Sequence, residues 1–226
     1  LTSRDLGILA QGVQDGRRTF ANTLKYIQIT TSANFGNMIS MAAATLWLPF
    51  LPLTAAQILL NNFLSDFPSV AISTDRVDPE NVARAPRWNI AEIRRFMVVF
   101  GLVSTVFDLL TFALLTRIFH AGASEFQSAW FLISLMTELA VVLVLRTRRT
   151  AWTSAPGHLL WTSTVLMLVV ALAVPYLSPV AAWVGLMPLP LPLALCALGV
   201  VAAYILATEA TKAWYFRPPK TTKGAA

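Results

Sequence analysis

Residues 96–118 read FMVVFGLVSTVFDLLTFALLTRI, and Asp108 and Arg117 are the only charged side chains among these 23 residues. A helix needs about 20 mostly apolar residues to cross the hydrocarbon core of a bilayer, which is roughly 30 Å thick. The stretch therefore predicts a transmembrane helix. Outward from it in both directions, the sequence predicts an all-α membrane protein with six transmembrane helices, at residues 27–48, 53–73, 96–118, 128–145, 159–177 and 189–208.

The composition of the whole chain supports the same fold class. Of its 226 residues, 56% are hydrophobic and 12% are charged, which leaves too little polar surface for a soluble domain. A net charge of +6 would favour nucleic acid as the partner of a soluble protein. Here the basic residues form short clusters between apolar runs, so we expect the lipid bilayer as a partner and no nucleic acid. The single cysteine, Cys196, excludes a disulfide within the chain.

The distribution of Lys and Arg predicts the orientation of the chain in the membrane. If residues 1–26 are placed in the cytoplasm and the six spans alternate, 16 of the 17 Lys and Arg side chains are cytoplasmic. Only Arg117 then lies near the outer face, and such a bias is typical of a correct topology. We therefore expect both termini in the cytoplasm. Residues 1–26 are predicted to form a helical stalk, 27–212 the transmembrane domain and 213–226 a tail.

Two further features are typical of a membrane–water interface. Near the end of the last span, Glu209 and Lys212 are three residues apart and are expected to form an ion pair. The amphipathic indole ring favours the interface, and all seven tryptophans fall near predicted span ends. We therefore expect interfacial positions for Trp47, Trp88, Trp130, Trp152, Trp161, Trp183 and Trp214.

Polar side chains inside the first two spans are the candidate functional residues, because such groups are expensive in a bilayer. In the first span, Asn34 and Asn37 are three residues apart and share a helix face. In the second span, Asn62, Ser65 and Asp66 have the spacing i, i+3 and i+4, which places three oxygen-bearing side chains on one face. Carboxylate, amide and hydroxyl oxygens are hard ligands that suit magnesium or calcium.

Pro68 follows this group in the second span. Proline has no N–H for the carbonyl four residues earlier, so we expect the helix to kink or unwind beside Asp66 and to free carbonyl oxygens for an ion. Neither of the first two spans offers Asp66 a Lys or Arg partner nearby, which favours a cation as its partner. For Asn34 or Asn37 alone, a hydrogen bond between helices explains the amide equally well.

Two acids lie within later spans. Glu138, mid-way along the fourth span, is the second candidate for contact with an ion, and a protonated or hydrogen-bonded structural acid is an equal alternative. Asp108, mid-way along the third span, is expected to form a packing network with Thr105 and Thr111.

Several stretches resemble the P-type cation-transporting ATPases. Residues 12–22 (GVQDGRRTFAN) and 25–27 (KYI) are similar to the end of the phosphorylation domain and the stalk of that family. Residues 32–37 (SANFGN) resemble its fifth membrane helix, and residues 62–66 (NFLSD) resemble the ion-binding motif of its sixth. Similarity to the magnesium-transporting branch is found at residues 87–89 (RWN), 95–97 (RFM) and 146–149 (RTRR).

The resemblance implies that the six spans correspond to the fifth through tenth helices of the family. Glu138 then falls on the eighth helix, where an acid contributes to the site of calcium pumps. Calcium pumps of the wider family have a carboxylate where Asn37 stands, and this difference argues against a calcium pump. The resemblance implies the membrane half of an ATP-driven magnesium transporter of the bacterial inner membrane, with ion-site positions at Asn34, Asn37, Asn62, Ser65 and Asp66.

The sequence contains neither the Asp-Lys-Thr-Gly phosphorylation motif nor a glycine-rich phosphate loop. The chain also starts at Leu1, without the order of a signal peptide. We therefore expect an enzyme, a P-type ATPase, in which ATP is bound by domains absent from this chain. The missing amino-terminal part of the pump is the expected partner. Two alternatives remain open: a proton or calcium pump of the same family, and a truncated membrane protein without catalytic function.

Overall fold

The computed structural model describes residues 6–83 and 87–217, which contain helices, turns and loops but no strand. Residues 1–5 of the predicted stalk and 218–226 of the predicted tail lie outside the described residues. The helices are α1 (Leu6–Ala44), α2 (Ala55–Ala71), α3 (Pro79–Ala83), α4 (Ile90–Arg117), α5 (Ala123–Leu145), α6 (His158–Ala173), α7 (Ser178–Val184) and α8 (Leu191–Tyr215). Short 3₁₀ turns lie at Ile72–Thr74, Ala151–Thr153 and Val174–Tyr176.

Local sequence fixes the start of two helices that carry the site or support it. At α2, the Thr54 hydroxyl accepts a hydrogen bond from the N–H of Gln57, whose side chain accepts one from the N–H of Thr54. At α4, the Asn89 side chain accepts hydrogen bonds from the N–H groups of Ala91 and Glu92. Such caps pair N–H groups that the helix itself leaves free.

Four helices of the described part are long and apolar enough to cross a membrane: α4, α5, α6 with its extension to Tyr176, and α8. The predicted all-helical membrane class is confirmed at this level. The first two predicted spans lie on α1, which has 39 residues but is less apolar, and on α2, which has 17 residues. Large leucines on α6 and α8 are exposed, as a lipid-facing surface requires.

Helix α5 is the centre of the bundle. It packs against α1, α2, α4, α6 and α8, and sixteen of its 23 residues are buried. Its sequence is apolar on nearly every side, which is typical of a helix that has no solvent-facing or lipid-facing surface of its own. Side chains on α5 are therefore held firmly against the helices that surround them.

The contact between α1 and α4 depends on two glycines. A Cβ atom added to Gly36 would lie 2.9 Å from the carbonyl oxygen of Gly101, and one added to Gly101 would lie 2.6 Å from the Phe35 ring. Both distances are too short for a real side chain. The absence of side chains lets the two backbones approach closely, as small residues do between membrane helices.

Six of the seven tryptophans have half or more of their surface exposed, as an interfacial position requires. Trp130 is the exception, because it is fully buried within α5 and packs edge-on against Phe112, with ring centroids 4.7 Å apart. The prediction of an interfacial position is wrong for Trp130. Its indole N–H donates to the carboxyl group of Asp108, so burial of the ring leaves no unpaired donor.

The end of the bundle that carries the first half of α1 and the end of α8 is rich in charge, and we name it the charged end. Asp75, in the loop after α2, accepts hydrogen bonds there from Lys25 Nζ at 2.9 Å and from Arg146 Nη1 at 3.3 Å. The N–H of Gly157 donates to the same carboxylate at 2.8 Å. We name Lys25, Asp75 and Arg146 the Asp75 cluster; it joins α1, the loop after α2 and the end of α5.

A second acid at the charged end is held by hydroxyl groups. Asp78 accepts hydrogen bonds from the hydroxyls of Thr147 at 2.6 Å and Ser154 at 2.8 Å. Burial alone would raise the pKa of Asp78, but these two hydrogen bonds and the positive charges of Lys25 and Arg149 together lower the pKa below its ordinary value of 3.8. The predicted pair of Glu209 and Lys212 is confirmed, with an Nζ–Oε1 distance of 2.9 Å.

Of the predicted kink or unwinding of α2 beside Asp66, the unwinding is wrong. The α-helix continues through Pro68 to Ala71 and tightens into a 3₁₀ turn only at Ile72–Thr74. Pro68 is buried, and the Ser69 hydroxyl donates to the Ser65 carbonyl at 2.9 Å. Packing and this added hydrogen bond hold the helix together although proline removes one backbone donor.

Candidate ion-binding site

A cleft of about 160 Å³ lies between α1, α2 and α5, and most of the predicted site residues line it. Five of the six predicted positions are in its wall; Asn37 is not. Apolar side chains from α1 and α5 complete the wall. The polar residues that line the cleft are Thr30, Asn34, Asn62, Ser65, Asp66, Ser69 and Glu138.

On α2, the predicted spacing brings three side chains to one side of the helix. Asn62, Ser65 and Asp66 all line the cleft, and Asn62 and Asp66 are exposed. The Ser65 hydroxyl donates to the Asn62 carbonyl at 3.2 Å, which leaves its lone pairs available to a ligand. On α1, Asn34 is also exposed and faces the same space. The Asp66 carboxylate enters no ion pair among the described residues.

Glu138 ties the three helices of the cleft together. Its Oε1 accepts a hydrogen bond from the side-chain amide of Asn37 on α1. Its Oε2 accepts one from the amide of Asn61 on α2, at 3.2 Å. Both donors are neutral, so Glu138 is oriented without being neutralised by a basic residue. Asn37 therefore positions an acid of the cleft and does not line the cleft itself.

Three residues of the site were missed by sequence reasoning: Thr30 and Ser69, which line the cleft, and Asn61, which holds Glu138. Asn61 lies beside the predicted Asn62 but faces α5. Its position on α2 lies to one side of the helix face of Asn62, Ser65 and Asp66, so the sequence pattern did not indicate it. Thr30 lies one turn before Asn34 on α1, and threonines are common within membrane spans, so the sequence gives no sign of a functional role.

Among the described residues, Thr30 Oγ1 and Asn61 Oδ1 are buried without a hydrogen-bond partner. Of these two residues, Thr30 lines the cleft, so its oxygen is available to a bound cation or its water. Asn61 is connected to the cleft through its hydrogen bond to Glu138.

Asp108 does not belong to the cleft. It is held by the Ser40 hydroxyl at 2.6 Å and the Trp130 indole N–H at 2.9 Å. In the described part of the chain, neither Thr105 nor Thr111 forms a hydrogen bond with Asp108, so the predicted network is wrong in its direct contacts. Both threonine hydroxyls donate to carbonyl groups four residues earlier on α4, which is usual for a threonine within a helix. The Thr105 hydroxyl also lies 3.3 Å from the Gly36 carbonyl oxygen on α1.

The chemistry of the cleft is that of hard oxygen donors. It combines two carboxylates with amides and hydroxyls, while the described residues include no group of three or more His, Cys, Asp or Glu side chains placed to hold a metal ion. Magnesium characteristically binds through one or two carboxylates and keeps several of its waters. A cleft of this size and composition fits a partly hydrated cation better than a fully dehydrated one.

Comparison with known proteins agrees with this chemistry. The chain is 41% identical, over 222 residues, to a protein named magnesium-transporting ATPase, P-type 1, from Escherichia coli strain K12; the match covers 96% of this chain and 25% of that protein. The protein of the same name from Salmonella typhimurium strain 14028s is 40% identical, with 96% and 24% covered. Calcium-transporting ATPase 1 of Bacillus cereus is 29% identical over 140 residues, which are 61% of this chain and 15% of that protein.

The chain thus spans about a quarter of the length of its magnesium-transporting relatives. Residues 50–214 match the family described as cation transporting ATPase, C-terminus. This segment runs from the loop before α2 to the last turn of α8 and includes Asn62, Ser65, Asp66 and Glu138. The chain belongs to the family of cation-transporting ATPase C-termini.

Proposed function

We propose that this chain is the membrane half of an ATP-driven magnesium transporter and forms part of its cation path. The observation that carries the proposal is the cleft between α1, α2 and α5, where carboxylates, amides and hydroxyls meet. Its donor set suits magnesium, and the relatives with 40–41% identity are named for magnesium transport.

Within the cleft, we assign a role to each predicted residue. Asp66 is the main charge partner of the ion, and Glu138 is the second acid. Asn34, Asn62 and Ser65 contact the ion or its water shell, because their oxygens face the same space. Asn37 orients Glu138 from α1 through its side-chain amide. The amides thereby select for size and hydration and the acids supply attraction.

The proposed topology has six spans, a stalk and a tail. Helix α1 has 39 residues and is about 58 Å long at 1.5 Å per residue, nearly twice the hydrocarbon thickness. We therefore assign residues 1–26 to a cytoplasmic stalk and 27–48 to the first span. The second span is α2, and residues 213–226 form a cytoplasmic tail. The bias of basic residues supports two cytoplasmic termini, and the bacterial relatives support a multi-pass protein of the inner membrane.

Transport requires chemistry outside this chain. Without a phosphorylation motif or phosphate loop, the chain depends on an amino-terminal part of the pump to bind and hydrolyse ATP. We propose that α1 transmits that chemistry, because it is continuous from Leu6 to Ala44 and carries Asn34 and Asn37. A displacement of α1 against α2 and α5 would alter the cleft and open it to alternate sides of the membrane.

ATP hydrolysis by the full-length protein that contains this chain tests the proposal. Free magnesium is varied while Mg-ATP is held constant, and Asp66→Asn is compared with the wild type. Asp15→Asn is the matched control, since Asp15 lies on the exposed surface of α1. We expect the response to free magnesium to fall by about tenfold or more in Asp66→Asn, which corresponds to roughly 1.4 kcal/mol of lost ion binding, and to persist in Asp15→Asn.

The same titration distinguishes the alternatives. An equal magnesium response in Asp66→Asn and in the wild type would remove Asp66 from the site. Stimulation by calcium or by protons, and not by magnesium, would keep the pump and change the ion. A full-length protein without ATP hydrolysis would favour the truncated, non-catalytic membrane protein.

A further inference from the structure

Asp108 is a buried acid that the proposed cation path does not use. It lies where α1, α4 and α5 meet and is 5% exposed. Its Oδ2 is 2.6 Å from Ser40 Oγ on α1, and its Oδ1 accepts from Trp130 Nε1 on α5 at 2.9 Å. Both partners are neutral. Within the described residues, none of the ion pairs includes Asp108.

The other groups around Asp108 bring no positive charge. The titratable groups that face it are Glu138 on α5 and Tyr204 on α8, and α1 contributes the Ser40 hydroxyl. A carboxylate anion buried in this setting would lack a counter-charge, which is costly inside a membrane protein. A neutral carboxylic acid avoids that cost.

The hydrogen atoms around Ser40 lead to the same conclusion. Ser40 Oγ lies 2.9 Å from the carbonyl oxygen of Gly36 and 2.6 Å from Asp108 Oδ2, but a hydroxyl has one hydrogen. With an ionised Asp108, Ser40 donates to the carboxylate, its contact with Gly36 has no hydrogen, and among side chains the Gly36 carbonyl keeps only the longer contact with the Thr105 hydroxyl, at 3.3 Å. With a protonated Asp108, the acid donates to Ser40 Oγ and Ser40 donates to Gly36, so both contacts are hydrogen bonds.

A metal ion does not fit between the same atoms. Adjacent oxygen ligands of magnesium are about 2.9 Å apart, because each lies about 2.1 Å from the metal. The separation of Asp108 Oδ2 and Ser40 Oγ is shorter, at 2.6 Å. A proton fills this contact, and a metal ion would have to push the two oxygens apart.

We propose that Asp108 is a proton-binding site, separate from the cation cleft, and that its proton links α4 to α1 through Ser40. When α1 moves away from α4, Ser40 withdraws, the acid releases its proton to water, and a carboxylate remains. Ser40 lies one helical turn after Asn37, whose amide holds Glu138 in the cleft. One turn of α1 therefore contacts both the cleft acid and the proton site. The inference does not depend on which ion the cleft carries.

Infrared spectroscopy of the full-length protein in lipid at neutral pH tests the proposal, because a protonated carboxylic acid has a C=O stretching band that a carboxylate lacks. Asp108→Asn is compared with the wild type and with Glu138→Gln, a matched change at the other acid. We expect one band of the wild type to persist in Glu138→Gln and to disappear in Asp108→Asn. Identical bands in the wild type and Asp108→Asn would overturn the proposal.

Two further measurements keep the test decisive if Asp108→Asn folds poorly. In Ser40→Ala the Asp108 band should stay but shift in frequency, since the acid loses its acceptor; an unshifted band would contradict the proposed link. The asparagine amide reproduces both hydrogen bonds of a neutral acid, so we also expect Asp108→Asn to melt at the wild-type temperature. A large fall in melting temperature would indicate that an ionised Asp108 is needed.

Discussion

The Asp75 cluster and the two acids in the middle of the helices, Asp108 and Glu138, show two ways of burying a carboxylate. Asp75 lies between Lys25 and Arg146, so its charge is opposed by two bases. Asp108 and Glu138 have only neutral hydrogen-bond partners among the described residues.

The difference separates fixed structure from exchangeable binding. An acid that is already paired with bases has no need of a further cation, and removal of one partner leaves the others buried and uncompensated. An acid with neutral partners can accept a cation or a proton and release it again. The charged end therefore suits a permanent link between α1 and the loops, and the middle of the bundle suits ligands that come and go.

Asp75→Ala should have the largest effect on the stability of the protein. It leaves Arg146, whose side chain is 1% exposed, and Lys25 buried without their acid. We expect a loss of about 3–5 kcal/mol in the free energy of unfolding, measured by denaturant titration in mixed micelles. Asp15→Ala is the control, because the pair of Asp15 and Arg18 is exposed and should contribute less than about 1 kcal/mol. Equal losses in both variants would contradict the role of the cluster.

Gly36→Ala should have the next largest effect, since it acts on the contact that holds Ser40 against Asp108. The added Cβ would lie 2.9 Å from the Gly101 carbonyl oxygen, and such overpacking costs about 1–3 kcal/mol. Gly12→Ala is the matched control on the same helix, with no atom within 4 Å of its Cβ. The control should unfold at the same or a slightly higher denaturant concentration. If Gly36→Ala and Gly12→Ala unfolded at the same denaturant concentration, the close contact between α1 and α4 would not contribute to stability.

Thr147→Val should change how the stability of the charged end depends on pH. Because the folded pKa of Asp78 lies below 3.8, its contribution to stability is complete above that pH and is lost as the pH falls through the folded pKa. Removal of the Thr147 hydroxyl should cost about 1 kcal/mol at neutral pH and make stability less dependent on acid pH. Unfolding titrations between neutral and acid pH measure both effects. Thr150→Val, at an exposed threonine, should leave the acid profile unchanged.

Glu138→Gln should have the smallest effect on stability. The glutamine oxygen can still accept from Asn37, and the Asn61 amide can turn so that its unpaired oxygen accepts from the new N–H. No buried base loses its partner, so we expect a change of less than about 1 kcal/mol in the same titration. A loss as large as that of Asp75→Ala would show that Glu138 is a structural acid, and the contrast between the two regions would fail.

Local spacing predicted what lies on one helix. The face of Asn62, Ser65 and Asp66 follows from helical geometry, and these residues do line one cleft. The pair of Glu209 and Lys212 follows in the same way. The apolar runs likewise predicted membrane-crossing helices at α4, α5, α6 and α8, because length and hydropathy decide this property locally.

Contacts between distant segments could not be predicted. Asp75 and Arg146 are 71 residues apart, and nothing in either local sequence indicates the other. The sequence shows that Trp130 lies near the end of a span, which predicts an interfacial position, but it does not show that Asp108 is its hydrogen-bond partner. The continuation of α2 through Pro68 could not be predicted, because packing against neighbouring helices outweighs the loss of one backbone hydrogen bond.

Magnesium uptake into proteoliposomes tests the cation cleft most directly. The full-length protein carrying Glu138→Gln is compared with the wild type and with Asp15→Asn, while a magnesium-sensitive dye reports the ion inside the vesicles. If the cleft carries the ion, uptake should fall by about tenfold or more in Glu138→Gln and remain at the wild-type rate in Asp15→Asn. Wild-type uptake by Glu138→Gln would contradict the proposal that the ion passes between α1, α2 and α5.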